Sequence, residues 1–180
     1  MHENLQLGKK YLHKAIRKKA LFPPPYTLLI YAEKAGGNQR EIKKIHDRAI
    51  KLMPESFYIR DKYISAIQPR WGGSYEEMTR YIDSINFDHL SNARIWQLKG
   101  EVDGEKGYTA YLNRDYKEAI EHYTKALSYG DKANFFWVRG YSYLSIREYE
   151  DAHQDFSNYL KYVKDDKKIR DAVKYLNDKL

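Results

Sequence analysis

The sequence contains no cysteine. A disulfide framework and a thiolate metal site are therefore excluded. It also lacks any apolar run approaching the roughly 18 residues that a membrane-spanning helix needs. No apolar segment closely follows the basic N-terminus, as a signal peptide would require; residues 26–32 are apolar but short, and come after three prolines. The expected location is the cytoplasm or, were a leader to precede these residues, the periplasm or cell exterior. No stretch alternates apolar and polar residues with period two, so no strand is expected. None of the six histidines lies in a His-Glu-x-x-His zinc motif. Ser74 has no nucleophile elbow around it, and Gly72-Gly73 lacks the lysine of a phosphate loop. Paired carboxylates such as Glu76-Glu77 and Asp165-Asp166 read as solvated helix faces or caps. No catalytic residue, metal site or cofactor is expected.

What the chain has in excess is tyrosine, 18 residues of it, within an aromatic content of 15%. A tyrosine covers apolar surface while keeping a polar tip, which suits packing between helical hairpins and also suits recognition. The formal charge is +7, and residues 1–20 supply +5 of it through Lys9, Lys10, Lys14, Arg17, Lys18 and Lys19 against one glutamate. The high charge therefore belongs to one segment and not to a stripe across the body, which weakens a nucleic-acid reading.

Apolar residues recur at helical spacing through most of the chain. Residues 4–20 read as a helix with the lysines off its apolar face. Pro23-Pro24-Pro25 is expected to stop it and force an extended stretch, so residues 1–25 read as a basic helix and proline linker. A short apolar helix over 27–35 ends at Gly36-Gly37. Asn38 caps the next, with Glu41 three residues on, and Ile42, Ile45, His46, Ala49, Ile50 and Met53 form its inner stripe. Ser74 and Glu77 repeat that cap farther along. Further helices are expected over 56–68, 74–84, 91–113, 116–129, 132–145, 149–163 and 166–178, making ten. Gly100, Gly104 and Gly107 share one of these helices, and close helix approach explains three glycines there better than hinge motion does.

Two segments are near-copies. Gly107 to Tyr111, then Tyr116, Ala119, Ile120, Tyr123, Ala126 and Leu127, recur 33 residues later as Gly140 to Leu144, then Tyr149, Ala152, Phe156, Tyr159 and Leu160. The offset is close to the period of about 34 residues of a tetratricopeptide array. The segment 100–165 resembles that family: Gly107 and Gly140 take its small first-helix site, Ala119 and Ala152 its small crossing site, and Tyr123 and Phe156 its aromatic site. Tyr159 departs from a small position, and the closing proline is absent after both repeats. The resemblance implies an all-α superhelix of antiparallel hairpins over 26–180. Its clearest repeats are 100–132 and 133–165, and a solvating cap covers 166–178. It also implies a concave wall built from first helices, here Tyr108, Tyr111 and Leu112 in one repeat and Asn134, Trp137, Val138, Tyr141 and Ser145 in the next. That wall lacks the Lys, Asn and Arg pattern of members that clamp a peptide carboxylate. The chain's own last or N-terminal helix is the alternative occupant.

Gln68-Pro69-Arg70-Trp71-Gly72-Gly73-Ser74 resembles the Pro-Arg-Trp-Gly-Gly-Ser signature of the bacterial DUF4034 family, whose function is uncharacterised. The likeness reaches back through residues 38–54, and the N-terminal portion usual there is reduced to the basic helix. Within this loop Arg70 and Trp71 have two readings. One is an anion or partner contact aided by exposed loop amides. The other is a tight turn in which Trp71 plugs a gap and Arg70 bonds helix ends.

The leading expectation is a non-catalytic scaffold that binds a peptide or protein on an aromatic groove. A second is association of the basic helix with nucleic acid or an anionic membrane. A third is self-association.

Overall fold

A computed structural model of the protein describes residues 2–180, and they form an all-α fold. Ten α-helices occur among the described residues, and none of the described helices is long and apolar enough to cross a membrane. The chain divides into two compact units, residues 1–98 and 99–180.

The first unit holds α1 (His2–Lys18), α2 (Pro23–Ala35), α3 (Gln39–Leu52), α4 (Phe57–Ala66) and α5 (Tyr75–Asp83), with 3-10 turns at Pro69–Trp71 and Phe87–His89. The prolines at 23–25 do not make an extended break. Proline lacks the N–H that a first helical turn leaves unpaired anyway, and its fixed φ suits that turn. They accordingly open α2, and the extended residue is Phe22 before them. Nor does α1 stand apart behind a linker: it packs on α2 and buries Ile16. Side-chain caps begin the next three helices. Asn38 Oδ1 accepts from the Glu41 amide at 3.2 Å, Ser56 Oγ from Ile59 at 3.4 Å and Ser74 Oγ from Glu77 at 3.0 Å. Leu29, Ile30, Ile42, Ala49, Ile59, Ile64 and Met78 are wholly buried and form the core.

The helix expected over 91–113 is divided. Residues 93–100 are a 3-10 stretch, and α6 (Glu101–Leu112) starts only after Gly100. The start of this segment is tied back to Glu55, whose carboxylate accepts from the amides of Ser91 at 3.3 Å and Asn92 at 3.1 Å. Glycine at 100 removes the preference for an α-helical continuation.

The second unit continues with α7 (Tyr116–Leu127), α8 (Ala133–Ser145), α9 (Tyr149–Tyr162) and α10 (Lys167–Asn177), each packed on the one before. The 33-residue repeat is visible in the packing. A Cβ on Gly107 would lie 3.0 Å from the Tyr123 ring and 3.1 Å from His122 Cβ; one on Gly140 would lie 2.8 Å from the Phe156 ring and 3.3 Å from Asp155 Cβ. The register thus pairs His122 with Asp155. Gly104 is a close-approach residue as expected, since its Cβ would lie 2.5 Å from the Phe135 ring. Arg139 spans three helices. Its Nε and Nη2 donate to the two oxygens of the buried Asp155 at 2.8 Å each, and its Nη1 donates to Thr124 Oγ1 at 3.0 Å.

One turn recurs in both units. Gly37, Arg114 and Arg147 are left-handed, with φ of 68°, 65° and 66°. The amide after each bonds a carbonyl of the preceding helix, Asn38 to Glu33 at 3.2 Å, Asp115 to Ala110 at 2.9 Å and Glu148 to Tyr143 at 3.0 Å. This six-to-one bond closes the helix and aims the chain into the next one.

Candidate functional site

The residues expected to form an aromatic wall lie on α6 and α8. Tyr108, Tyr111, Trp137 and Tyr141 are half-buried, while Leu112, Asn134 and Ser145 are exposed. Tyr108 and Tyr111 stack at 6.5 Å between ring centroids, and Trp137 meets Tyr141 edge-on at 4.8 Å. Ser145 Oγ donates to its own helix at Tyr141 O, 2.8 Å away. Burial pushes the Tyr111 hydroxyl up, and the neighbouring Tyr116, Tyr141 and Tyr108 add to it. Tyr111 also meets the Tyr116 ring edge-on at 6.0 Å. Val138 does not belong to the wall. It is 3% exposed and sits in the core with Tyr123, Ala126 and Phe135, because its place on α8 faces α7. Trp137 is shared, packing against that core and against the one built from Ala152, Phe156, Ile169 and Leu176. Two of these, Ile169 and Leu176, come from α10. The last helix thus contributes to the packing beneath Trp137 and Tyr141.

The Arg70–Trp71 loop does not expose an amide cradle. The N–H groups of Trp71 and Gly73 donate to Gln68 O at 2.9 and 3.2 Å, and that of Gly72 to Pro69 O at 3.1 Å. Arg70 grips the Gln68 side-chain carbonyl through Nε at 3.2 Å and Nη2 at 2.9 Å. Trp71 is 41% exposed, so it does not plug a gap; the Lys34 ammonium lies 4.6 Å from its ring centroid. Gln39 Nε2 fixes the loop by donating to Ala66 O and Trp71 O at 3.0 and 2.6 Å.

Of the basic segment, Lys9 is taken inward, paired with Glu33 at 2.8 Å with both side chains largely buried. Lys10, Lys14, Arg17, Lys18 and Lys19 are exposed.

The most developed polar constellation lies elsewhere, on α3, α4 and α5. His46 is buried and stacks on Tyr63 with centroids 4.0 Å apart. Its Nε2 is 2.7 Å from Tyr81 Oη and its Nδ1 is 3.0 Å from Asp47 Oδ1. Arg60 Nη1 donates to Tyr81 Oη at 3.4 Å. That donation directs the Tyr81 proton to His46 Nε2 and leaves the imidazole proton on Nδ1, donated to Asp47. Lys43 Nζ donates to the other Asp47 oxygen at 2.6 Å. Burial drives His46 down to about 4, against the hydrogen bond and charge of Asp47, so the imidazole is neutral at pH 7. Burial would raise Asp47, but hydrogen bonds from Lys43 and His46 hold it below the usual carboxylate range. Burial also pushes the hydroxyls of Tyr63 and Tyr81 up to about 12, the first helped by the charges of Glu77 and Asp47 and the second opposed by Arg60. A cavity of about 510 Å³ opens beside this group, lined among others by His46, Arg60, Tyr63, Arg80, Tyr81 and Ile85.

Sequence reasoning placed His46 on the inner stripe of its helix and went no further. The signal available was positional. His46 stands nine residues after Gly37, as Tyr123 stands after Arg114 and Phe156 after Arg147. Ala49 likewise corresponds to Ala126, and Asn38 to Asp115. The imidazole thus occupies the position where the two clear repeats keep a buried aromatic ring.

Residues 38–100 match the family model described as a domain of unknown function, DUF4034. This DUF4034-family segment begins at the α3 cap and contains all of α3, α4 and α5, and with them His46, Arg60, Tyr63 and Tyr81. No curated protein matches the chain.

Proposed function

We propose that the protein is a non-catalytic binding module, a tetratricopeptide-like array of antiparallel hairpins. In this reading the aromatic face of α6 and α8 holds an extended peptide segment of a protein partner. The observation that supports it most is the set of half-buried ring contacts, Tyr108 with Tyr111, Tyr111 with Tyr116 and Trp137 with Tyr141. Such rings offer apolar area at small entropic cost, and their hydroxyls bond a peptide backbone. Selection from a displayed random-peptide library on the immobilised protein tests this. Enriched peptides are expected to bind at least about tenfold more weakly to a Tyr111→Ala, Tyr141→Ala double variant whose helical circular dichroism is unchanged. Peptides that bind both proteins equally overturn it. A mass that rises with concentration, with no peptide enriched, assigns the face to a second copy instead.

A second reading rests on the five exposed cations of residues 10–19. It assigns them to nucleic acid or an anionic membrane, and predicts binding that falls steeply with salt and is lost when these residues become alanine.

A further inference from the structure

We propose that the cavity between α3, α4 and α5 binds a small organic anion whose oxyanion head pairs with Arg60 and whose planar body lies along the stacked rings of His46 and Tyr63. This is a different site from the aromatic face and does not depend on it.

The argument begins with Arg60. An arginine stays charged in any protein environment. This one is only 8% exposed, and an unpaired charge at such depth is expensive. Among the described residues no carboxylate pairs with it. Its Nη2 donates to Pro54 O at 2.9 Å, its Nη1 makes the long 3.4 Å contact to Tyr81, and its Nε is buried with no acceptor. A guanidinium used only to pin a helix end would turn its fork onto the available carbonyls or a carboxylate. Here the charge lines a cavity and meets no carboxylate. The neighbouring charges are already spent or opposed. Lys43 and His46 occupy Asp47, so that carboxylate neither serves Arg60 nor presents a free oxygen to an anion. Arg80 and Lys43 also line the cavity, so that three cations with Arg60 face two acids, Asp47 and Glu77.

The rest of the wall specifies the body of the ligand. The cavity volume of about 510 Å³ is that of a small-molecule site and far exceeds what an inorganic anion fills. Its polar end is Arg60 with Tyr81, and its apolar walls include Ile50 and Ile85. Tyr81 is held by two neighbours, so its oxygen is fixed before a ligand arrives. Replacement of the repeat's buried aromatic by His46 is what gives Tyr81 an acceptor and keeps this arrangement in register.

Carboxylate and phosphate ester heads share the chemistry that Arg60 recognises. The test uses benzoate, phenyl phosphate, inorganic phosphate and, as the uncharged body, benzyl alcohol. Each is titrated into the full-length protein labelled with nitrogen-15, and the Arg60 Nε–H resonance is followed. Benzoate or phenyl phosphate is expected to move it downfield and to saturate, while benzyl alcohol leaves it in place. The tighter of the two aromatic anions identifies the head. Affinity for that probe is expected to fall at least tenfold in Arg60→Met, with Arg60→Lys recovering only part of it because the fork is lost. The proposal is overturned if neither aromatic anion shifts the Nε–H by about 10 mM, a concentration far above ordinary dissociation constants. It is equally overturned if Arg60→Met binds as well as the native protein, or if inorganic phosphate alone binds as tightly as the aromatic anions. Should Arg60→Met not fold, the Nε–H titration of the native protein decides by itself.

Discussion

The two units share one framework and fill it differently. Each closes a helix with a left-handed residue and caps the next helix beside it, at Gly37 and Asn38 in the first and at Arg114 and Asp115 in the second. Seven residues before that turn the second unit has Gly107 and Gly140, whereas the first has Ile30. Nine residues after it the second unit has Tyr123 and Phe156, whereas the first has His46. Bulk is thus moved from one position to the other. In the second unit the large ring presses on a glycine, and the position itself stays apolar. In the first a smaller, polar ring stands at the same place and recruits Tyr81, Arg60 and Asp47. The framework tolerates this because turns and caps are local, so a core position can change character without changing the path of the chain.

The comparison breaks most severely at the aromatic position of the second unit. Phe156→Ala is expected to cost about 3–5 kcal/mol, since Phe156 is wholly buried and the space it leaves cannot close; chemical unfolding measures this. Next is acid. Burial takes His46 from the ordinary 6.5 down to about 4 in the folded protein, so the unfolded chain binds a proton that the folded one refuses. Stability contributed by neutral His46 is present above pH 6.5 and declines as the pH falls toward 4, by roughly 3 kcal/mol in all. The groups around it are Asp47, Arg60, Lys43, Tyr63 and Tyr81, of which Asp47 alone titrates at lower pH. Thermal melts at pH 7 and pH 4.5 are expected to differ less in His46→Phe than in the native protein, and an equal difference would refute this.

A smaller effect comes from the close approach of α8 to α9. Gly140→Ala places a methyl 2.8 Å from the Phe156 ring, and overpacking of this kind costs about 1–3 kcal/mol. An alanine at position 30 replaces a buried isoleucine and tests the opposite case, a void in the first unit. The mildest prediction is a gain. Arg114 and Arg147 adopt a left-handed backbone that costs a side-chain-bearing residue about 1 kcal/mol. Arg114→Gly is therefore expected to raise the melting temperature by a few degrees, bringing the turn to the form already present at Gly37. An unchanged or lower melting temperature would mean that the arginine side chain offsets its own strain.

Much of this was legible along the chain, for reasons that can be named. Helix periodicity, the caps at Asn38 and Ser74 and the 33-residue copy depend on residues near one another in sequence, and all appear in the structure. Pro23-Pro24-Pro25 was misread because proline ends one helix and begins another with equal ease; only the path of the chain distinguishes them. Val138 was assigned to a surface by its place in a repeat, yet the crossing of α8 over α7 turns it inward. The loop at Arg70 has the glycines of an anion cradle, but its amides are used within the turn.

The His46 constellation was illegible for a different reason. Its members are far apart along the chain, and no spacing rule links residues 46, 60, 63 and 81. Sequence by itself determined the all-α class, the helix ends and the recurrence of one structural unit, because local backbone preference and apolar periodicity act over a few turns. Tertiary structure alone decided which polar groups are buried together, which cation is left without a carboxylate and which aromatic rings reach the surface. Those outcomes depend on how helices cross, and hence on desolvation and packing between residues that have no relation in sequence.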